Sequence, residues 1–250
     1  MIIDRPRQQD LPGLRRIWQE AFGDSDLFLD GFFQTGFAPD QCMCLRIGER
    51  PVAALYWFDC HWKDKKIAYL YAIATEKAYR GQGLCRKLME KTHLQLRSAG
   101  YYAATLVPAG EKLFSMYAQM GYRGFCPMTQ VEISAGCQPI DLETLTAASY
   151  FSHREAYLPT NGICQKEAAD YLDRFTQCYR AEDCLACLSR EGDTLVFQEF
   201  LGNREKIPGI LAALNAKTGQ LRLPGGDPYG MYLPLEGDIP EDAYLGIPLG

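Results

Sequence analysis

The run Tyr79-Arg80-Gly81-Gln82-Gly83-Leu84-Cys85-Arg86-Lys87-Leu88 constrains the fold more than any other stretch of the chain. It joins an apolar, strand-like segment, Ile67 to Ala74, to a helix striped by Cys85, Leu88, Met89, Thr92 and Leu96. Two glycines at the junction remove the Cβ atoms that would keep backbone amides apart. The helix beyond them adds the positive end of its dipole. A strand–turn–helix junction of this kind suits an anionic phosphate group. The sequence therefore implies an α/β (α+β) fold and a nucleotide-like cofactor.

What the run lacks narrows the cofactor. There is no Gly-Lys-Ser/Thr ending, which excludes a nucleoside-triphosphate loop. The third glycine of the dinucleotide fingerprint is missing, and the motif does not open the first strand–helix unit. The arginine-first spacing Arg80-x-x-Gly83-x-Cys85 instead resembles the pyrophosphate loop of the GNAT acetyltransferase superfamily, Gln/Arg-x-x-Gly-x-Gly/Ala. Cys85 departs from the small residue usual at the last position. A second segment, Glu111 to Tyr122, reads as a helix closed by Gly121, with Leu113, Met116, Tyr117 and Met120 on one face. Its ending Tyr117-x-x-x-Gly121-Tyr122 resembles that family's C-terminal helix, Leu-Tyr-x-x-x-Gly-Phe. The two motifs stand in the family's order with a helix, a strand and a connection between them.

The amides of Arg80, Gly81, Gln82, Gly83, Leu84 and Cys85 are expected to face a pyrophosphate, with Arg80 and Arg86 adding positive charge. The resemblance implies acetyl-CoA as co-substrate and no metal. It also implies that the backbone of Ala72, Ile73 and Ala74 pairs with the pantetheine arm and offers an N–H to the thioester oxygen; the plain alternative for these three is an ordinary β-ladder. Tyr117 is the candidate catalytic acid, because a phenol stays protonated at neutral pH and can donate to a departing thiolate. The base is not legible: Tyr69, Tyr71, Asp59, His61 and Glu111 are candidates beside a water relay. Phe28, Phe32, Phe33 and Trp57 are candidates for the acceptor pocket, with core packing as the alternative. The expected reaction is acetyl transfer to a primary amine of a small molecule. Acetylation of a protein lysine or N-terminus, and a non-catalytic acyl-CoA-binding module, are the alternatives.

Composition and charge fit this reading. Of 250 residues 47% are hydrophobic and 23% charged, as in ordinary globular proteins. No run reaches the roughly 20 apolar residues of a membrane helix, and the start lacks a secretory pattern, so a cytoplasmic protein without a membrane partner is expected. The ten cysteines lie largely in apolar strand-like runs such as Cys42-Met43-Cys44 and Cys184-Leu185-Ala186-Cys187, which favours buried thiols over metal or disulfide frameworks. Net charge is −5, divided unevenly: residues 1–137 carry 17 Lys and Arg against 14 Asp and Glu, and residues 138–250 carry 9 against 17. The first part suits an anionic cofactor and the second a cationic amine, while the acidic total disfavours nucleic acid. A homodimer is left open.

Patterning along the chain predicts strand, two helices, three strands, helix, strand, helix, strand over 1–136, the GNAT arrangement, with Asp10 capping the first helix. After a linker at Ala135–Pro139, residues 137–250 are expected to form a smaller α+β domain. Glu167–Tyr179 reads as a helix, Asp183–Ser189 and Asp193–Phe200 as paired strands, and Leu201-Gly202-Asn203 opens a further helix. This repeats part of the first pattern without the arginine–glycine loop. The expectation is a degenerate acetyltransferase-like half, in a layout similar to the enhanced-intracellular-survival type of bacterial acetyltransferases. Pro224–Pro240 gives no periodic signal.

Overall fold

The computed structural model describes residues 1–164 and 169–247. In the first half, β1 (Ile2–Asp4) leads to α1 (Leu11–Phe22) and α2 (Asp26–Thr35). Strands β2 (Cys42–Ile47), β3 (Arg50–Trp62) and β4 (Lys65–Thr75) follow, then α3 (Leu84–Ser98), β5 (Ala103–Leu106), α4 (Glu111–Ala118) and β6 (Arg123–Ser134). This is the order the sequence predicts. The sheet is covered on both faces, so β3 is buried along almost its whole length. Alternation divides it: Tyr56, Phe58 and Cys60 pack with Leu14, Trp18, Leu29 and Phe32 of α1 and α2. Leu55 and Trp57 face Leu84, Leu88, Met89 and Leu96 of α3 on the other side. Asp10 precedes α1 but does not cap it with its side chain. Its carboxylate accepts from the Arg7 N–H at 2.7 Å and pairs with buried Arg46 at 2.8 Å.

The second half runs β7 (Glu143–Leu145), α5 (Ala147–Arg154), β8 (Ile163–Cys164), α6 (Ala169–Phe175), β9 (Gln177–Ala181), β10 (Cys184–Glu191), β11 (Thr194–Gly202), α7 (Ile207–Ala213) and β12 (Thr218–Pro234). All strands join one mixed, mostly antiparallel sheet of order β1-β2-β3-β4-β5-β12-β11-β10-β9-β7, with β6 against β12 and β8 against β3. Two pairs are parallel, β4–β5 and β11–β12. The long strand β12 belongs to both halves. Its first residues pair with β11, its last four with β5 through Met231↔Leu106 to Pro234↔Ala103, and nearly all of it with β6.

Two stretches differ from their predicted form. Residues 167 and 168 of the predicted Glu167–Tyr179 helix lie outside the described residues. Within the rest, the helix stops at Phe175, and Gln177–Ala181 is a strand whose register places Tyr179 opposite Ala186. Pairing with β10 outweighs local helix preference there. Pro224–Pro240, silent in the sequence, contains the second half of β12. Pro224 and Pro228 flank a slip in the register with β6, and Pro234 is the last residue of the strand, positions where a strand tolerates proline. Helix α5 was not anticipated. It carries Arg154, which is fully buried and held by Glu199 at 2.6 Å, an ion pair further satisfied by Tyr150 and the Ile163 carbonyl. All ten cysteines are free and seven are buried.

Candidate active site

The site starts where two parallel strands part. The β4–β5 ladder covers only Ile67↔Ala103, Ala68↔Ala104 and Tyr69↔Thr105. Beyond Tyr69, β4 continues to Thr75 with no β5 partner among the described residues, while β5 runs out into Val107, Pro108 and Ala109. The wedge between them opens into a cavity of about 670 Å³, within the size range of small-molecule sites. Leu70 to Ile73 form one wall, Leu106 to Ala109 another, and Leu113 and Tyr117 of α4 a third.

Ala72, Ile73 and Ala74 are not a regular ladder. The β3–β4 register shifts between Ala54 and Tyr56, so two residues of β4 bulge opposite one of β3. Ala72 sits in the bulge with φ 47°, a left-handed conformation that costs an alanine about 1–2 kcal/mol. Strain of this kind persists where surrounding structure enforces it. Ala72 and Ile73 line the cavity; Ala74 is buried beside it and pairs with Ala54 on the β3 side.

At the end of β4 the chain makes one short turn and enters the glycine run. Gly81 and Gly83 have φ of 75° and 72°, and a Cβ on either would meet nothing within 4 Å. Their requirement is conformational rather than steric. Gly83 is the N-cap of α3 and has no side chain to satisfy it; the first intrahelical bond is Lys87 N–H to the Gly83 carbonyl. The amides of Gly83 to Arg86 are therefore the orphan donors that every helix start leaves, while the Arg80 amide donates to the Lys77 carbonyl at 3.3 Å. Arg80, Gly81, Gln82 and Gly83 are exposed, with the Arg80 Nε donating to the Thr75 carbonyl at 2.9 Å. Leu84 anchors the helix in the core. Arg86 donates to the Gln119 carbonyl at 3.2 Å, tying the start of α3 to the end of α4. Burial pushes the half-buried Cys85 thiol up, and it packs in the same cluster as Tyr117.

Tyr117 is 5% exposed and its ring lies 5.7 Å from that of Tyr122. Burial, reinforced by Cys85, raises its pKa well beyond the ordinary phenol value. Its hydroxyl makes no hydrogen bond among the described residues, and the residue lines the cavity. The phenol therefore presents a proton to the cavity across the neutral pH range.

Of the bases considered from sequence, Tyr69 and Tyr71 line the cavity and Asp59, His61 and Glu111 do not. Asp59 accepts from Tyr101 and pairs with Lys66 at 2.8 Å at the far end of β3. Phe28 lines the cavity, but Phe32 is fully buried beneath it, and Trp57 lies on the opposite sheet face with its Nε1 donating to Tyr101 at 3.0 Å. Sequence reasoning missed Trp18, Asp24, Tyr171, Phe175, Gln198 and Arg222, all of which line the cavity. Asp24 is the single carboxylate among its described lining residues and accepts from Trp18 Nε1 at 2.7 Å. The turn Gly23-Asp24-Ser25 between α1 and α2 was the signal available for it. Trp18 stands in the apolar stripe of α1, and Tyr171, Phe175, Gln198 and Arg222 come from the second half, where no local pattern marks them.

A partly opened parallel strand pair, a glycine turn into a bare helix start and a phenol in the cavity wall stand together in this fold. Residues 3–125, just under half of the chain, match the family model of the acetyltransferase (GNAT) domain. Solved structures share the fold at low identity. A GCN5-related N-acetyltransferase from Kribbella flavida superposes with a TM-score of 0.72 at 18% identity, covering 94% of this chain and 71% of that one. A putative acetyltransferase from Pyrococcus horikoshii gives 0.68 at 13% identity over 99% and 94%. Eis1 from Mycobacterium abscessus gives 0.64 at 12% identity over 94% and 74%. Among curated proteins nothing matches the chain in sequence. No helix among the described residues is long and apolar enough to cross a membrane.

Proposed function

We propose that the chain transfers an acetyl group from acetyl-CoA to a primary amine of a small molecule. The observation that carries this reading is the open β4 edge at the Ala72 bulge, with the α3 amide cradle at one end and Tyr117 across the cavity. In this reading the amides from Gly81 to Cys85 hold the pyrophosphate, the Arg80 amide donating instead to the Lys77 carbonyl at 3.3 Å. The Leu70–Thr75 edge pairs with the pantetheine arm as a strand would, and an N–H of the bulge polarises the thioester carbonyl. The neutral amine attacks that carbonyl, the carbon–sulfur bond breaks, and the proton lost by nitrogen ends on sulfur. Tyr117 donates a hydrogen bond to the leaving sulfur and relays that proton.

Residues 137–250 are, in the same proposal, a degenerate acetyltransferase-like half. Supporting this, its sheet order β7-β9-β10-β11-β12 parallels β1-β2-β3-β4-β5, and β11–β12 is parallel like β4–β5. The turn before α7 has no arginine–glycine loop. Its role is to wall the acceptor side: α6, β11 and β12 contribute Tyr171, Phe175, Gln198, Arg222 and Tyr229 to the cavity. A walled cavity favours a small molecule over an extended peptide.

The deciding experiment measures coenzyme A binding by calorimetry and thiol release from acetyl-CoA over a panel of monoamines, diamines, amino acids and lysine peptides. Release with a small amine is the expected result. Absence of coenzyme A binding would overturn the proposal, and binding without turnover on any amine would make the chain an acyl-CoA-binding module.

A further inference from the structure

Five rings lining the cavity form a closed circuit. Successive centroids are 6.4 Å apart from Trp18 to Phe28, 4.7 Å to Phe175, 4.8 Å to Tyr171, 6.2 Å to Tyr71 and 5.6 Å back to Trp18. Taken as a regular pentagon, the circuit places each centroid about 5 Å from the middle, inside the roughly 6 Å range over which a ring face attracts a cation. Fully buried Phe32 lies below, within 4.5–6.0 Å of Trp18, Tyr71 and Tyr171. The Tyr71 and Tyr171 hydroxyls bond to each other at 2.9 Å, so each satisfies the other. Asp24 stands at the edge, held by Trp18 Nε1, and has no cationic partner among the described residues.

Aromatic faces around a cavity with one carboxylate at the rim stabilise positive charge. That is the wrong environment for the attacking nitrogen, which must shed its proton to react. The circuit therefore suits a different group of the acceptor. Resting on the acetyltransferase reading above, we propose that the Trp18–Phe28–Phe175–Tyr171–Tyr71 circuit and Asp24 seat a second, non-reacting ammonium group of the acceptor. The acceptor is then a dication: an amine joined by a few methylenes to a quaternary or protonated nitrogen. Tyr71 immediately precedes Ala72, so a short tether spans from the circuit to the open β4 edge. Arg222, stacked 4.8 Å over Tyr229 on the β12 side of the cavity, opposes a third positive group and disfavours long polycations. Three of the five rings come from α1, α2 and β4 and two from α6, so the specificity element is shared by both halves.

The test compares two acceptors of one shape, aminobutyl-trimethylammonium and its neutral isostere with carbon in place of the quaternary nitrogen. The tether keeps the two primary amines at nearly equal basicity. The expected kcat/KM favours the cation by about tenfold or more, mainly through KM. Phe175→Leu and Asp24→Asn are each expected to cut that ratio by about threefold or more. Tetramethylammonium chloride should compete with the cationic acceptor and not with acetyl-CoA. Thiol release equal for both compounds, or faster with the neutral one, would overturn the proposal while leaving acetyl transfer intact. If no acceptor supports release, calorimetric titration of both compounds into the acetyl-CoA-loaded protein decides the matter: preference for the cation sustains the circuit's role, and no preference removes it.

Discussion

Replacing Tyr117 by Phe removes one oxygen from the cavity and nothing else. The hydroxyl has no hydrogen-bond partner among the described residues, so its loss strands no buried group, and the ring keeps its contact with Tyr122. Stability should change by less than about 0.5 kcal/mol, as expected where no partner is orphaned. Coenzyme A affinity should stay within a few-fold, since the cradle lies at the start of α3. What is lost is a hydrogen bond to a sulfur that becomes anionic as the thioester breaks. Such a bond contributes roughly 1.5–3 kcal/mol, which corresponds to a fall in kcat of about 10–150-fold. The assay is steady-state thiol release with the best acceptor, beside a thermal melt and a coenzyme A titration. Because burial holds the Tyr117 pKa well above its ordinary value, wild-type kcat should show no loss from phenol ionisation between roughly pH 7 and 10. Undiminished kcat in Tyr117→Phe would refute the role given to the phenol. A large drop in melting temperature would refute its description as a bystander to packing.

Two further outcomes follow from the backbone and from burial. Gly83→Ala places a Cβ in open space at φ 72°, so its penalty is the left-handed conformation alone, about 1–2 kcal/mol; melting should fall by about 2–8 °C and coenzyme A affinity by roughly tenfold. Unchanged calorimetric binding and melting would mean that the turn does not need this conformation. His93 is half-buried with its Nε2 2.8 Å from the Tyr122 hydroxyl, and burial lowers its pKa from 6.5 to about 4. The unfolded chain therefore binds the extra proton first, so stability present above pH 6.5 should decline as pH falls toward 4, by up to about 2–3 kcal/mol. Denaturant titrations across that window check it, and His93→Gln should flatten the slope.

The first half was legible because its signals are local. Apolar periodicity located α1 through β6, and Gly81 and Gly83 marked the turn into α3 since only a backbone requirement explains two glycines there. The motif singled out Tyr117, which lines the cavity. The second wall of the cavity was not legible, because Asp24, Tyr171 and Arg222 come together only through the sheet that joins the halves. Phe32 and Trp57 took the core-packing alternative; aromatic content is visible in sequence, but which face of β3 Trp57 serves depends on register. The proline- and glycine-rich stretch hid β12 because a strand that tolerates such residues does so at a bulge, and bulges leave no periodic trace.

The sharing of β12 has a consequence for synthesis. On the ribosome, β5 and β6 emerge well before the strand that must lie between them. At ordinary elongation rates the delay is on the order of ten seconds. During it, the first half carries two unpaired strand borders, a hazard for association with other nascent chains. The cavity thus acquires its final wall only when the second half has folded around it, and the chain matures as a unit rather than one module after another.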